Sequence, residues 1–289
     1  PVGLYLEEKS STVSSVSLKL DSATLEIPGI GWSKGKGIAS KASFELVTNG
    51  TSQQLKDFSV SGKGFQIAGA IDLGGGAFSR AKLSTVQLSP GDDYSAEITR
   101  KGKTYNIQVK GAVADMRPLI TEAKSSAAAG DSGSGEDYVI AASGNIDSVR
   151  GFYDTRLSSA QFSYAGRNGN TEKMSFKAVS PTGQAVVMEV NGQTAGREQI
   201  EMTAGDAGAF ARFAGIYGKM KNGLLNVRLN KAGDGPRKGV VDIRNFTIEG
   251  EEKLNALVSS PTGSDGRSLN DAFRKNINVK APRFDVANA

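Results

Sequence analysis

Alternation of apolar and polar residues constrains this chain more than any other feature. Val16, Leu18 and Leu20 alternate with Ser17, Lys19 and Asp21, and Tyr94, Ala96 and Ile98 alternate with Ser95, Glu97 and Thr99. A period of two sends the two sets to opposite sides of an extended strand, one side dry and the other wet. After "RKGK" the register returns as Tyr105, Ile107 and Val109 against Thr104, Asn106, Gln108 and Lys110. That pair predicts an antiparallel hairpin turning at Lys101-Gly102. Further strands are expected at Phe162/Tyr164, Met174/Phe176/Ala178, Val186/Met188/Val190, Leu225/Val227/Leu229 and Val241/Ile243. Asn-Gly at 49–50, 168–169 and 191–192 lies between alternating runs, where hairpin turns with positive φ are expected.

Strand following strand through short turns favours antiparallel meanders over βαβ units. The chain has 36 Gly but only 1 Trp, 7 Tyr and 12 Phe. Sparse aromatics disfavour a dense sandwich core, while Gly marks bends and bulges. The expected fold is mainly β: antiparallel meanders forming a curved, groove-like sheet, with two short amphipathic helices. The small-residue stretch "SSAAAGDSGSGE" (125–136) reads as a flexible linker. It separates a first β-groove unit (1–124), ending in a short helix that Asp115 caps, from a second (137–289). The second contains a helix over 206–221, capped by Asp206 and closed by Gly223. A strand running into an Asp-capped helix, twice, suggests a duplicated plan.

The chemistry legible in 289 residues is mostly exclusion. With no Cys and no His, nucleophilic triads, disulfides and His-based metal sites fall away. The Ser and Lys residues occupy strand faces and turns. Asp92-Asp93 after Pro90-Gly91 reads as a turn with solvated charge. "GIGWSKGKG" (29–37) fails the phosphate-loop spacing, since Gly31 to Lys36 is one residue short and Gly37 stands where Ser or Thr is needed. Trp32 there is expected to anchor a loop against the sheet. "SDGRSLND" (264–271) misses the calcium-loop pattern, and the triplets at Asn49 and Asn245 match the glycosylation acceptor, a common coincidence. Charge is mixed, 35 basic against 30 acidic, and the basic pairs fall in turns, so no nucleic-acid partner is expected. No apolar run approaches the roughly 18–20 residues of a membrane helix. No secretion signal is legible at Pro1, and the chain reads as a monomeric piece of a longer protein. No catalytic residue, metal or cofactor is expected, and the chain is not read as an enzyme.

In "TAGDAGAFARFAGIYGKMKNGLLNVRL" (203–229), Phe210, Phe213, Tyr217 and Met220 are spaced as one face of a helix. The expectation is a capping helix that covers the open end or side of a curved sheet. A membrane-surface role would need a basic polar face, and only Arg212, Lys219 and Lys221 are available.

The same stretch carries a resemblance. "MTAGDAGAFARFAGIYGKMKNGLLNVRL", followed by "KGVVDIRNFTIEGEEKLNALV", is similar to the AsmA-like family of proteobacterial envelope proteins, in particular its large YhdP- and TamB-related members. The shared pattern is a strand, an Asp206-Ala207-Gly208 helix start, Met220 to Gly223, a strand at 225–229, and Gly239 through Ile243, Phe246 and Ile248 to Leu254. "GIGWSKGKGIASKASFELVTNG" and "LKDFSVSGKGFQIAGAIDL" resemble the family's N-terminal repeats, whereas the C-terminal "GSDGRSLNDAFRKNINVKAPRFDVANA" departs from the pattern. The resemblance implies a periplasmic β-groove tethered at the inner membrane, in a bridge-like protein that moves phospholipid between inner and outer membranes. It implies phospholipid or another acyl lipid as partner, with envelope membrane proteins as further partners. Groove-lining residues are then expected at Val16, Leu18, Leu20, Phe44, Leu46, Ile98, Ile107, Val109, Phe176, Val227, Leu229 and Ile243. Two rival readings stand beside it: an envelope scaffold or assembly factor acting by strand addition, and a surface adhesin-like β protein.

Overall fold

The computed structural model describes residues 3–27, 29–129, 137–193, 197–233, 235–251, 277–280 and 283–288. The chain is mainly β, with antiparallel meanders in curved, non-closed sheet and two helices, as the alternation predicts. It divides into two compact units, Pro1–Val149 with Ser159–Lys173, and Arg150–Ser158 with Met174–Ala289. The division therefore falls between Val149 and Arg150 rather than at 125–136. The first five residues of that expected linker are helical, and the remainder (130–136) lies outside the described residues.

In the first unit, β1 (Gly3–Ser10) and β2 (Val13–Lys19) precede a separate two-stranded hairpin of β3 (Leu25–Ile27) and β4 (Trp32–Lys34). The meander then continues through β5 (Ser40–Asn49), β6 (Ser52–Gly62), β7 (Phe65–Gly74), β8 (Ala77–Gln87), β9 (Asp93–Lys101) and β10 (Thr104–Asp115). Each consecutive pair is antiparallel, with β2 pairing β5 across the inserted hairpin. Helix α1 (Arg117–Ala129) follows β10; the Met116 carbonyl takes its first helical bond from Ile120, so Asp115, expected as the cap, stands one residue earlier, where its Oδ1 accepts the Arg117 N–H at 3.0 Å. The β9–β10 hairpin turns at Gly102-Lys103, one step later than the expected Lys101-Gly102, so Ile98 stands opposite Ile107 rather than Tyr105. Bulges in the β5–β6, β6–β7, β7–β8 and β8–β9 ladders bend this sheet.

Strands β11 (Val139–Arg150), β12 (Arg156–Arg167) and β13 (Asn170–Val179) come next; the β12–β13 turn is the expected Asn168-Gly169, both residues at positive φ. The second unit's meander runs through β14 (Ala185–Gln193), β15 (Arg197–Ala204), helix α2 (Ala207–Phe213), β16 (Met220–Lys231) and β17 (Lys238–Glu249). Strand β17 pairs with β19 (Arg283–Asn288), which pairs with β18 (Ile277–Lys280). Asn191-Gly192, expected as a turn, instead continues β14, paired with Gln199 and Glu198 of β15.

The largest departure is the helix expected over 206–221. Asp206 is the N-cap, its side chain accepting the Ala209 N–H at 2.8 Å, but the helix spans only 207–213. Gly215, at φ +65, ends it: its N–H bonds the Arg212 carbonyl, and the Ile216 N–H reaches back to Ala211. That pairing is a Schellman stop, which needs a left-handed residue that Gly supplies without strain. Gly223 closes no helix. With Asn222, also at positive φ, it forms a kink inside β16 opposite Asn245.

Candidate functional site: apolar strand faces

Direct partners in an antiparallel ladder share a side of the sheet, so the register shows which residues meet. In the first unit one row reads Leu4, Leu18, Ala42, Val60, Ile67, Val86 and Tyr94 across seven strands. A second reads Leu6, Val16 and Phe44, then, past a bulge at Asp57, Phe58, Gly69, Leu83, Ala96 and Val109. A third reads Leu46, Leu55, Ile71, Ala81, Ile98 and Ile107. The opposite side carries Ser17, Lys41, Glu97, Gln108 and Lys110 and ion pairs such as Arg80–Glu97 at 2.5 Å. Val16, Leu18, Phe44, Leu46, Ile98, Ile107 and Val109 thus share one face. Leu20 lies one residue beyond β2, its N–H bonded to the Ser40 carbonyl at 2.8 Å.

The second unit repeats the arrangement with three rows of four: Val186, Ala204, Leu225, Ile243; Met188, Met202, Val227, Val241; and Val190, Ile200, Leu229, Gly239. Val227, Leu229 and Ile243 belong here, while Phe176 is half-buried on β13, outside these rows. Each row holds a buried residue, Val186, Met202 and Val190 at 0%, 6% and 8% exposed, whereas Val241 on β17 is 55% exposed.

Each unit has a covered end. In the second, α2 packs on the start of β16 so closely that a Cβ on Gly208 would lie 2.6 Å from Lys221 Cα. Phe213 is buried against Gly151, and the Arg212 guanidinium donates to the Met220 carbonyl. The expected four-residue stripe is divided: Phe210 and Phe213 are helical, Tyr217 lies in the loop after the helix, and Met220 opens β16. Tyr217 donates to Glu251 at 2.9 Å, and burial together with that carboxylate pushes its phenol up to about 12.

In the first unit the cover is the β3–β4 hairpin. Trp32 donates to the Leu88 carbonyl at 2.7 Å and meets Phe65 edge-on at 5.2 Å, so it does anchor a loop on the sheet. Lys34, 2% exposed, donates to the carbonyls of Leu20, Asp21 and Ala23, which compensates the burial of its charge.

Asp92 corrects the expectation of solvated charge. It is 7% exposed and accepts N–H bonds from Leu88, Ser89 and Asp115 at 3.1, 2.7 and 2.7 Å. Burial outweighs those bonds and holds its pKa above the ordinary carboxylate value. The carboxylate ties the β8–β9 turn to the β10–α1 junction. In the second unit Asp206, 2% exposed, links the β13–β14 turn to the β15–α2 junction by accepting from Thr182 at 2.7 Å.

Sequence reasoning missed Leu55, Phe58, Val60 and Leu83, because bulges change the apolar spacing from two to three at Leu55–Phe58 and Leu83–Val86, and it missed Ile71, whose strand keeps a period of two but carries Gly69 in the apolar row. That spacing break between polar residues was the available signal. No group of three or more acidic side chains that could hold a metal ion occurs among the described residues, and no described helix is long and apolar enough to cross a membrane. No protein-family model, curated protein or solved structure matches the chain.

Proposed function

We propose that this chain is a non-enzymatic, lipid-binding segment of a bridge-like transfer protein, holding phospholipid acyl chains on its apolar strand faces between inner and outer membrane. One observation carries the reading: rows of aliphatic side chains continue from strand to strand in each unit, yet much of that surface is only half-covered by protein. A folded chain that leaves such rows open has hydrocarbon-sized surface to offer, and each methylene laid there gains about 0.8 kcal/mol. Alkyl chains need no polar partner, which suits faces built from Val, Leu, Ile and Ala. The AsmA-like resemblance, resting on the motif residues alone, adds the periplasmic setting and attachment to the inner membrane.

The test is to purify the chain from a bacterial envelope, extract it and analyse the extract by lipid mass spectrometry, with photoreactive residues at Leu18, Ile107 and Val227. Expected are co-purified phospholipid and lipid adducts at all three positions, with none at Gln108 on the opposite side. Absence of phospholipid together with absence of adducts overturns the reading.

Strand β1 supports a second reading, assembly by strand addition. All eight of its residues are exposed, and Leu4 and Leu6, at 63% and 64%, carry two apolar rows out to the sheet edge. Lys substitution at both should abolish partner capture and leave lipid adducts at Val227 in place.

A further inference from the structure

Resting on the strand-addition reading, we infer that the partner of β1 is β1 of a second copy of this chain, joined antiparallel about a two-fold axis through Tyr5. Strand β1 has one ladder among the described residues, with β2. In it Leu4 and Leu6 stand opposite Leu18 and Val16 on the apolar side. Gly3, Tyr5 and Glu7 stand opposite Lys19, Ser17 and Ser15 on the polar side, and Tyr5 is 82% exposed.

Only half of this edge is guarded. Charges and bulges are what keep an edge strand from pairing, and β1 has them from Glu7 onward: Glu7, Glu8 and Lys9, with a bulge between Glu8 and Ser10. Gly3 to Leu6 has neither.

The two sides of the strand fix the register. Direct partners share a side of the sheet, so only registers that keep Leu4 and Leu6 with the other copy's apolar positions extend the dry face. An axis at Leu6 sets Leu4 against Glu8, and an axis at Glu7 sets two glutamates face to face. An axis at Tyr5 sets Leu4 against Leu6 of the second copy and Gly3 against its Glu7, with no like charges opposed. One aliphatic row then runs from Leu18 and Leu4 into Leu6 and Val16 of the second copy.

Charge complementarity comes through Gly3. The Lys19 stem lies beside it, with carbons 3.5, 3.6 and 3.7 Å from where a Cβ on Gly3 would stand, and no side chain there blocks the way to the edge. Lys19 and Glu7 of the second copy are two strand spacings apart, about 10 Å between backbones, which the two side chains together can span. Neither Lys19 nor Glu7 makes a salt bridge among the described residues, whereas Lys9 is committed to Glu45 at 2.5 Å. Two-fold symmetry makes the bridge twice, once on each side of the Tyr5 pair.

Sedimentation equilibrium and disulfide trapping on the purified chain test this. The seam is short, so a weak dimer is expected, with Kd on the order of 10–100 µM. Lys19→Glu alone and Glu7→Lys alone should each raise Kd about fivefold, and the two together should restore it to within about twofold, with thermal melts confirming the fold. The chain has no Cys, so an introduced one is unique. Under mild oxidation Tyr5→Cys should link two copies about tenfold faster than Ser17→Cys, one strand further in on the same side. A monomer at every concentration up to about 500 µM overturns the self-pairing. A dimer indifferent to both charge reversals, single reversals that the double variant does not rescue, or equal linkage at positions 5 and 17 overturns it too. After any of these, loss of partner capture on Lys substitution at Leu4 and Leu6 leaves strand addition standing with another protein, and unaffected capture sinks both.

Discussion

Asp92 shows how one side chain holds a junction together. Its two oxygens satisfy three backbone N–H groups from two segments, and Asp92→Ala would leave all three without that acceptor. At about 1–3 kcal/mol per unsatisfied buried donor, partly relieved by water, the variant should lose about 2–4 kcal/mol in urea unfolding. The pH dependence has a definite sign. A folded-state pKa above the ordinary 3.8 means that the native state holds this proton more tightly than the unfolded chain. The contribution of Asp92 is therefore full below about pH 3.8 and is lost as pH rises through its folded pKa. Asp92→Asn cannot ionise and escapes that loss, so the gap in melting temperature between wild type and variant should narrow from pH 3.5 to 7. A gap that widens with pH would mean that the three N–H bonds outweigh burial. None of this was legible in "SPGDD", because adjacent aspartates in a turn look alike whether they face water or the neighbouring strand end.

At the scale of elements, the capped helix shows what a sequence pattern specifies and where it stops. Asp206 was legible as an N-cap because capping is local, a side chain three residues from the N–H it accepts. The helix end was not. The apolar spacing of Phe210, Phe213, Tyr217 and Met220 continues at helical period past Gly215, and a periodic pattern carries no mark of the turn that interrupts it. Both Gly215 and Gly223 could end a helix, and the choice is made by packing, since the Phe152 ring lies against Gly215 and β16 must begin by Met220 to pair with Ile248. Gly208 tests the element as a cover. A methyl there would press on the backbone of Met220 and Lys221, which cannot yield as a side-chain tip can. Gly208→Ala should therefore cost about 1–3 kcal/mol by overpacking. It should also lift α2, seen as faster amide exchange at Ala204 and Leu225, with Val149 in the first unit unchanged. Unchanged exchange at Ala204 and Leu225 would show that the helix does not cover that row.

Across the whole chain, the same alternation builds both units, and it predicted the β class and which residues share a side wherever the ladder is regular. It failed at bulges, where an extra residue such as Asp57, at φ 48, shifts the spacing without changing the side. What alternation cannot tell is whether an apolar side is sealed by protein or left open, because Val and Ile look the same in a core and in a trough. Stability can tell. Leu157 is 0% exposed and packed as a core residue, whereas Ile98 and Ile107 are half-covered at the same aliphatic size. Leu157→Ala should cost about 2–5 kcal/mol, as cavity-forming core truncations do. Ile98→Ala and Ile107→Ala remove side chains already part-exposed and should each cost about 1–2 kcal/mol, scaled by the smaller area withdrawn from water. Added lipid should separate them further, since a ligand that binds only the folded chain stabilises it in proportion to occupancy. The melting-temperature gain from dodecyl phosphate should shrink in Ile98→Ala and Ile107→Ala and persist in Leu157→Ala. Equal costs for all three truncations, with no lipid-dependent difference, would mean that the first unit's apolar side is a closed core and that hydrocarbon binds elsewhere.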